Sequence, residues 1–423
     1  MHIEKDRTMK DTIIPHSGSL PREVAGLSRF IDRYARSMLF SLLACITEGC
    51  ISLKENRNRF VFGRFVQKKR LNATVTIHHP LFYRHVVFGG NIGAGRAYID
   101  GHFSCDDLTA LVRIMIRNRR AMNDMDSGTA RLFVPLLRIG HLLRRNTRIG
   151  SCRNIHAHYD LGNEFYALFL DPTMTYSCGI FESDQSTMEA ASLAKFDRIC
   201  RKLELTPTDH VLEVGCGWGG FAIHCATRYG CRVTGVTISK AQYELAAERV
   251  RQAGMSDRIE LRLSDYRDLT GRFDKLVSIE MIEAVGHQYL GTFFKHCDRL
   301  LRDDGRMMLQ AIVINDQAYE RHKRSVDFIK HYIFPGGCLT AVTPIMKAVT
   351  AKTDMRLVHM EDITAHYVKT LQSWREQFFK HIRDVKAMGF KENFIRMWHY
   401  YLCYCEAGFA ERYIGDVQMV FRK

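Results

Sequence analysis

The run Val211-Leu212-Glu213-Val214 leads straight into Gly215-Cys216-Gly217-Trp218-Gly219-Gly220, and this junction constrains the chain more than any other stretch. Residues 211–214 read as a strand and residues 221–229 as a helix. The turn between them carries so few Cβ atoms that backbone can approach a ligand closely. It also delivers that ligand to the positive end of a helix. Gly-x-Gly-x-Gly after a strand, with no phosphate-binding Lys behind it, suggests a nucleotide-type cofactor, most often S-adenosylmethionine (SAM). A bare structural turn is the alternative.

The surrounding rhythm supports a ligand site. A predicted helix at 191–203 precedes the strand, and another at 240–253 follows a predicted strand at 231–236. Short strands are predicted at 259–263, 274–279 and 307–313. This alternation implies an α/β fold with a doubly wound parallel sheet. In such sheets the ligand lies beyond the carboxyl ends of the strands. The glycine turn, Thr237, Asp265 and residues 280–283 all fall at such ends.

A chain of 423 residues exceeds one ordinary core, so two domains are expected. Residues 1–150 hold 25 Lys and Arg against 12 Asp and Glu, which is most of the formal net charge of +15. A basic module beside a near-neutral one points to an acidic partner. With no nucleic-acid-binding signature in the chain, an anionic phospholipid surface is favoured over nucleic acid, and a merely soluble basic surface stays open. The most apolar early run, residues 38–46, is far shorter than the roughly 20 residues a membrane span needs. The start of the chain shows no signal-peptide pattern. Thirteen scattered Cys without a Cys-x-x-Cys pair fit reduced thiols and a cytoplasmic setting. His156-x-His158 and Cys403-x-Cys405 lack the partner spacing of a zinc site, so no metal is expected.

Three segments are expected: a mobile terminus at 1–20, a basic lipid-associating module at 21–148 and a catalytic module at 149–423. The boundary is placed near 145–155, beside the basic run Arg144-Arg145-Asn146-Thr147-Arg148. Within the first module, residues 21–43 read as a helix whose apolar face is Val24, Leu27, Phe30, Ile31, Tyr34, Met38 and Leu42. Arg22, Arg29, Arg33 and Arg36 lie on its other face. That helix either packs on its own module or lies on a bilayer. Strands are predicted at 59–63, 73–77 and 85–88, and a basic helix at 108–120.

The ordered motif set resembles the cyclopropane-fatty-acyl-phospholipid synthases, including the mycolic acid cyclopropane synthases, over roughly residues 90–420. Its upstream part is His158-Tyr159-Asp160-Leu161-Gly162-Asn163-Glu164-Phe165-Tyr166, Leu170-Asp171-Pro172 and Tyr176-Ser177-Cys178. Its downstream part is Gly235-Val236-Thr237-Ile238-Ser239, Ser264-Asp265-Tyr266-Arg267-Asp268, Glu280-Met281-Ile282-Glu283-Ala284-Val285-Gly286 and Tyr332-Ile333-Phe334-Pro335-Gly336-Gly337. The resemblance implies a Rossmann-like SAM-dependent methyltransferase domain behind a smaller basic α/β module. It implies that Gly215, Gly217 and Gly219 admit the amino-acid part of SAM. Thr237 and Gln242 then take the ribose with Ile238 beside them at the cofactor, Asp265 and Tyr266 flank the adenine, and Tyr176 and Ser177 close over the methionine end.

The implied reaction is methyl transfer to a cis double bond of an unsaturated phospholipid acyl chain, leaving a carbocation. Loss of a proton from the added methyl then closes a cyclopropane ring. The implied acceptor is a bound bicarbonate, cradled by the backbones of Cys178 and Ile312 and the side chains of Glu283, Gln310 and Tyr367. Cys178 reads as packing plus a backbone donor rather than as a nucleophile, since nothing beside it would depress its pKa. Two neighbouring carboxylates on one turn, Glu280 and Glu283, would raise one pKa if both were buried. Gln310 stands where many relatives carry His, and Ala284 where some carry a second His. Gln310 can hydrogen-bond but cannot titrate near neutrality. Methyl- or methylene-branched acyl products, methylation of a small amine, and a non-catalytic lipid-binding role therefore remain alternatives. Relatives with an amino-terminal module form dimers, so a homodimer is an expectation too.

Overall fold

The computed structural model describes residues 22–64, 71–119 and 161–423, with side chains from residue 30 onward. The expected mobile terminus, the 145–155 boundary, the 144–148 basic run and the pair His156 and His158 lie outside the described residues.

The first part is built from α1 (Arg22–Ala44), β1 (Cys50–Glu55), β2 (Asn58–Gly63), β3 (Asn72–Ile77), α2 (Leu81–Ile99), β4 (Phe103–Cys105) and α3 (Leu108–Arg117). Its sheet runs β2-β1-β3-β4, with β1 parallel to β3 and the other pairs antiparallel. Asp107 caps α3 by accepting from Ala110 N at 2.8 Å.

Two expectations for this part are corrected. Residues 85–88 are helical, inside α2, although Val86-Val87-Phe88 suits a strand. Tertiary burial decides: Phe82, Tyr83, Ala97 and Tyr98 of the same helix all enter the core. The face of α1 is also rotated from the predicted one. Ala35, Leu39 and Leu43 are buried, whereas Phe30 and Tyr34 are 61% and 51% exposed. Alanine at position 35 lets the helix sit close, and Asp32 pairs with Arg84 of α2.

The second part opens with α4 (Asn163–Ala167), α5 (Met188–Leu203), β5 (His210–Val214), α6 (Gly220–Tyr229), β6 (Arg232–Thr237), α7 (Lys240–Gln252), β7 (Ile259–Leu263) and β8 (Phe273–Ile279). It continues with α8 (Leu290–Leu300), β9 (Leu301–Ile314), α9 (Asp316–Arg324), α10 (Val342–Lys352), β10 (Arg356–Asp362), α11 (Thr364–Lys380), α12 (Ile382–Ala387), α13 (Glu392–Ala410) and β11 (Ile414–Arg422). Seven strands pair in the order β10-β11-β9-β8-β5-β6-β7. The five strands from β9 to β7 are parallel. The expected all-parallel sheet gains an antiparallel flank, because β11 inserts between β9 and β10 against the direction of both. The strand order reverses at β5, whose carboxyl end carries the glycine turn.

One apolar core crosses between the two parts. It contains Leu39, Tyr83, Tyr98 and Ile114 together with Phe165, Phe169, Trp374, Trp398 and Tyr401. Polar ties reinforce the seam. Glu411 accepts from Arg113 and Arg117, each at 2.7 Å. Buried Glu406 accepts from Thr109 at 3.2 Å and from Arg375 at 3.0 Å. Gly95 of α2 lies so close to Phe328 that an added Cβ would be 2.3 Å from the ring.

Candidate active site

A cavity of about 400 Å³ starts at the carboxyl ends of β5, β6 and β8 and runs away from the sheet. Such a volume suits a small-molecule site. Tyr176, Ser177, Gly215, Gly217, Thr237, Ile238, Gln242, Asp265 and Tyr266 all line it. So do Glu283, Ile312 and Tyr367.

The cofactor end is shaped by backbone. Gly215, Gly217 and Gly219 take φ of +87°, +52° and +79°. Gly215 N and Cys216 N both donate to Val236 O, at 2.9 and 3.0 Å, which ties the turn to β6. A Cβ on Gly217 would meet no protein atom, so the space beside it is left for a ligand. Gly219 departs from expectation: it starts α6 rather than lining the cavity, and its missing Cβ clears Ala246.

Side chains around the turn are held in place by one another. Thr237 Oγ1 donates to Gln242 Oε1 at 2.9 Å. Asp265 receives both the Nε and Nη2 hydrogens of Arg267, at 2.8 and 2.5 Å. Tyr266 packs edge-on to Phe293. Tyr176 Oη meets Tyr401 Oη at 2.8 Å. The open space at Gly217, the carboxylate of Asp265 and the aromatic wall of Tyr176 and Tyr266 fit SAM. When bound, SAM supplies an activated methyl on a sulfonium.

Two buried ionisable groups at this end escaped the sequence reading. Glu213 of β5 is buried, its Oε2 has no hydrogen-bond partner, and burial raises its pKa to about 8. Lys195 of α5 is fully buried and donates to Ser177 Oγ at 2.6 Å; burial lowers its pKa. A legible signal existed, since Lys195 sits on the stripe Ala191, Ile199 and Leu203.

The reaction end holds the main surprise. The donors predicted to hold bicarbonate converge on a side chain, Glu280. Cys178 N donates to its Oε1 at 2.8 Å and Gln310 Nε2 to the same oxygen at 2.7 Å. Tyr367 Oη donates to its Oε2 at 2.5 Å. The remaining predicted donor, Ile312 N, goes to Glu283 Oε1 at 2.6 Å. Glu280 lines the cavity, whereas Cys178 and Gln310 do not. With its donors engaged by Glu280 and Glu283, this cradle does not fit bicarbonate.

The backbone at Glu280 is in the left-handed region, with φ of +48°. For a residue other than glycine that conformation costs about 1–3 kcal/mol, and strain of this kind gathers at functional sites. Behind Glu280 stand fully buried Gln310, Asp416 and Gln418. Gln310 donates to Asp416 Oδ2 at 3.0 Å and accepts from Gln418 at 3.1 Å. Burial, then Glu280, pushes the Asp416 carboxyl well up. Burial, then the charge of Glu280, raises Glu283 to about 8, and its Oε2 has no protein partner. Burial also pushes the Cys178 thiol up, which suits an inert packing group.

Beyond Glu280 the cavity wall is mainly apolar, with Ile312, Ile314, Phe334, Leu371, Phe409 and Ile414, and His322, Asp327 and Lys330 also line it. Ile116 of α3 also belongs to it, so the amino-terminal part contributes directly. Away from the cavity, His85, Asp100 and His102 place potential metal-ligand atoms within 4.8 Å of one another. Asp100 is already paired with Arg96 at 3.3 Å.

The fold and the cavity define a SAM-dependent methyltransferase of the Rossmann-like α/β type. The chain belongs to the mycolic acid cyclopropane synthetase family, whose sequence model matches residues 146–419. It is 36% identical to the tuberculostearic acid methyltransferase UfaA1 of Mycobacterium tuberculosis over 350 residues, 81% of each chain. It is 34% identical to the cyclopropane-fatty-acyl-phospholipid synthase of Escherichia coli over 354 residues, 83% of this chain and 88% of the other. Among solved structures, the mycolic acid cyclopropane synthase CmaA1 complexed with SAH and CTAB superposes with a TM-score of 0.60 at 32% identity. That match covers 64% of this chain and 98% of CmaA1.

Proposed function

We propose that this chain transfers the methyl carbon of SAM to the cis double bond of an unsaturated acyl chain in a membrane phospholipid. The observation that carries this reading is the continuity of one cavity. It joins a glycine turn open at Gly217 to a mainly apolar tunnel past the carboxylate of Glu280, whose backbone is strained. The tunnel excludes water from a carbocation, and the Glu280 carboxylate beside it supplies negative potential. Cyclopropane formation is the first reading of the outcome, in line with the E. coli relative. A branched acyl product is the second, favoured by the likeness to the tuberculostearic acid methyltransferase and by Gln310.

The lipid is met at an anionic bilayer surface. No helix among the described residues is long and apolar enough to cross a membrane. Phe30 and Tyr34 on the outer side of α1 are exposed beside Arg33, an aromatic and basic pairing suited to the headgroup region. The protein is thus expected at the cytoplasmic face of the membrane as a peripheral enzyme.

The test uses methyl-labelled SAM and vesicles of mono-unsaturated anionic phospholipid, with products read by mass spectrometry and proton NMR. Label in a ring methylene supports the first reading; label in a branch or exocyclic methylene supports the second. Absence of label in any lipid, despite SAM binding, would sink both. In flotation, vesicle binding should weaken with added salt, and Phe30→Ser with Tyr34→Ser should lower it roughly threefold or more.

A further inference from the structure

We infer that Glu280 is the proton acceptor of this reaction, a built-in carboxylate standing where a free anion would otherwise have to bind. The inference rests on the alkene-methylation reading above and names the base of that same site.

Three observations converge. The first is the set of donors: Cys178 N and Gln310 Nε2 reach Oε1, and Tyr367 Oη reaches Oε2. An ionised carboxylate is acceptor-only, with about four lone-pair positions. Oε1 holds two of these donors and Oε2 one, so Oε2 is the less encumbered oxygen for an incoming proton, and the buried Asp416 carboxyl also bonds the group. The second is the backbone. A side chain is carried at φ +48°, a conformation that glycine adopts freely, and it turns a carboxylate into the cavity. The third is position. Glu280 is flanked on one side by Met281, which packs against Gly215 of the turn where the sulfonium methyl is expected, and on the other by Tyr367, which stacks on Phe409 of the wall where the acyl chain is expected. Gln310 and Asp416 behind it are fully buried and act as positioning residues.

The step balances without any further reagent. The alkene π pair forms a bond to the methyl carbon as the S–CH3 bond breaks, and that electron pair stays on sulfur. The neighbouring carbon becomes a cation. A proton then leaves the transferred methyl for Glu280 Oε2, and the C–H pair closes the ring. If a hydride first shifts between the two former alkene carbons, the same proton loss leaves an exocyclic methylene. Glu280 is reset when the proton passes to water on product release.

The test compares the full chain and two variants in buffer purged of carbon dioxide and in buffer with added bicarbonate, on the same labelled SAM and vesicles. Wild-type turnover should agree within about twofold between the two buffers. Glu280→Gly should lose about a hundredfold or more in purged buffer. With its cradle vacated, it should regain part of that loss on adding bicarbonate. Glu280→Gln, which keeps the volume, should lose as much and regain nothing. SAM affinity within about threefold of wild type shows that each variant is folded. A wild type that fails in purged buffer and recovers with bicarbonate overturns the inference. So does a folded Glu280→Gly or Glu280→Gln that works at the wild-type rate without bicarbonate. A wild type that labels no lipid in either buffer overturns the reaction itself, and this inference with it.

Discussion

The two ends of the cavity are made by different means. At the cofactor end the backbone shape comes from one continuous stretch, residues 211–220, with Tyr176, Ser177, Lys195 and Gln242 closing around it. At the reaction end one carboxylate is held by donors at positions 178, 310 and 367, with Asp416 and Gln418 behind them. A site built locally survives changes elsewhere in the chain, whereas a convergent site depends on every segment arriving in register. Binding and turnover should therefore be separable by mutation.

The largest effect should come from breaking the local end. Gly217→Val places a branched side chain at φ +52° and fills the space beside the turn. SAM affinity should fall roughly a hundredfold or more, read by calorimetric titration. Retained affinity would mean that the cofactor does not approach this turn.

A smaller effect should come from Glu283, and it should depend on pH. Its pKa is raised to about 8 by burial and by Glu280. It is therefore mostly neutral at pH 6.5 and charged above pH 8, where it best shields a cation. Glu283→Gln should match wild type closely at low pH and fall about tenfold behind at pH 9, with SAM affinity unchanged. A loss of equal size at every pH would contradict this assignment.

The smallest effect concerns stability. Glu213 is raised from 4.5 to about 8 by burial, so the folded state holds its proton more tightly than the unfolded chain. Its contribution is fully present below about pH 4.5 and is lost as pH rises toward about 8. Glu213→Gln should flatten this decline and melt about 2 °C or more above wild type at pH 8.5. Parallel melting curves across that range would show that Glu213 titrates normally.

The same contrast explains what the sequence disclosed. The alternation from residue 191 to 314 and the glycine turn follow from local periodicity and turn chemistry, and the structure contains them. Failures came where distant contacts decide. Residues 85–88 have a strand-like composition but are helical because their neighbours are buried. Phe30 and Tyr34 look like core residues, yet α1 turns Ala35, Leu39 and Leu43 inward. Glu280 was legible only as one of two acids on a turn. Its convergence with Cys178, Gln310 and Tyr367 spans a separation of 189 positions that no local pattern encodes. The antiparallel flank was missed for the same reason, since β11 pairs across the sheet with β9.

The core that runs from Leu39 and Tyr98 into Trp374 and Trp398 leaves no plane along which the chain can be cut cleanly. Removing the first 120 or so residues would strip Ile116 from the tunnel wall and lay bare a large aromatic surface. In calorimetry the described parts should melt as one cooperative unit, without a separate transition for the amino-terminal sheet. Any relative motion between the parts would then require the core to open. On the proposed function, the lipid then enters a nearly rigid body, and the bilayer makes the larger adjustment.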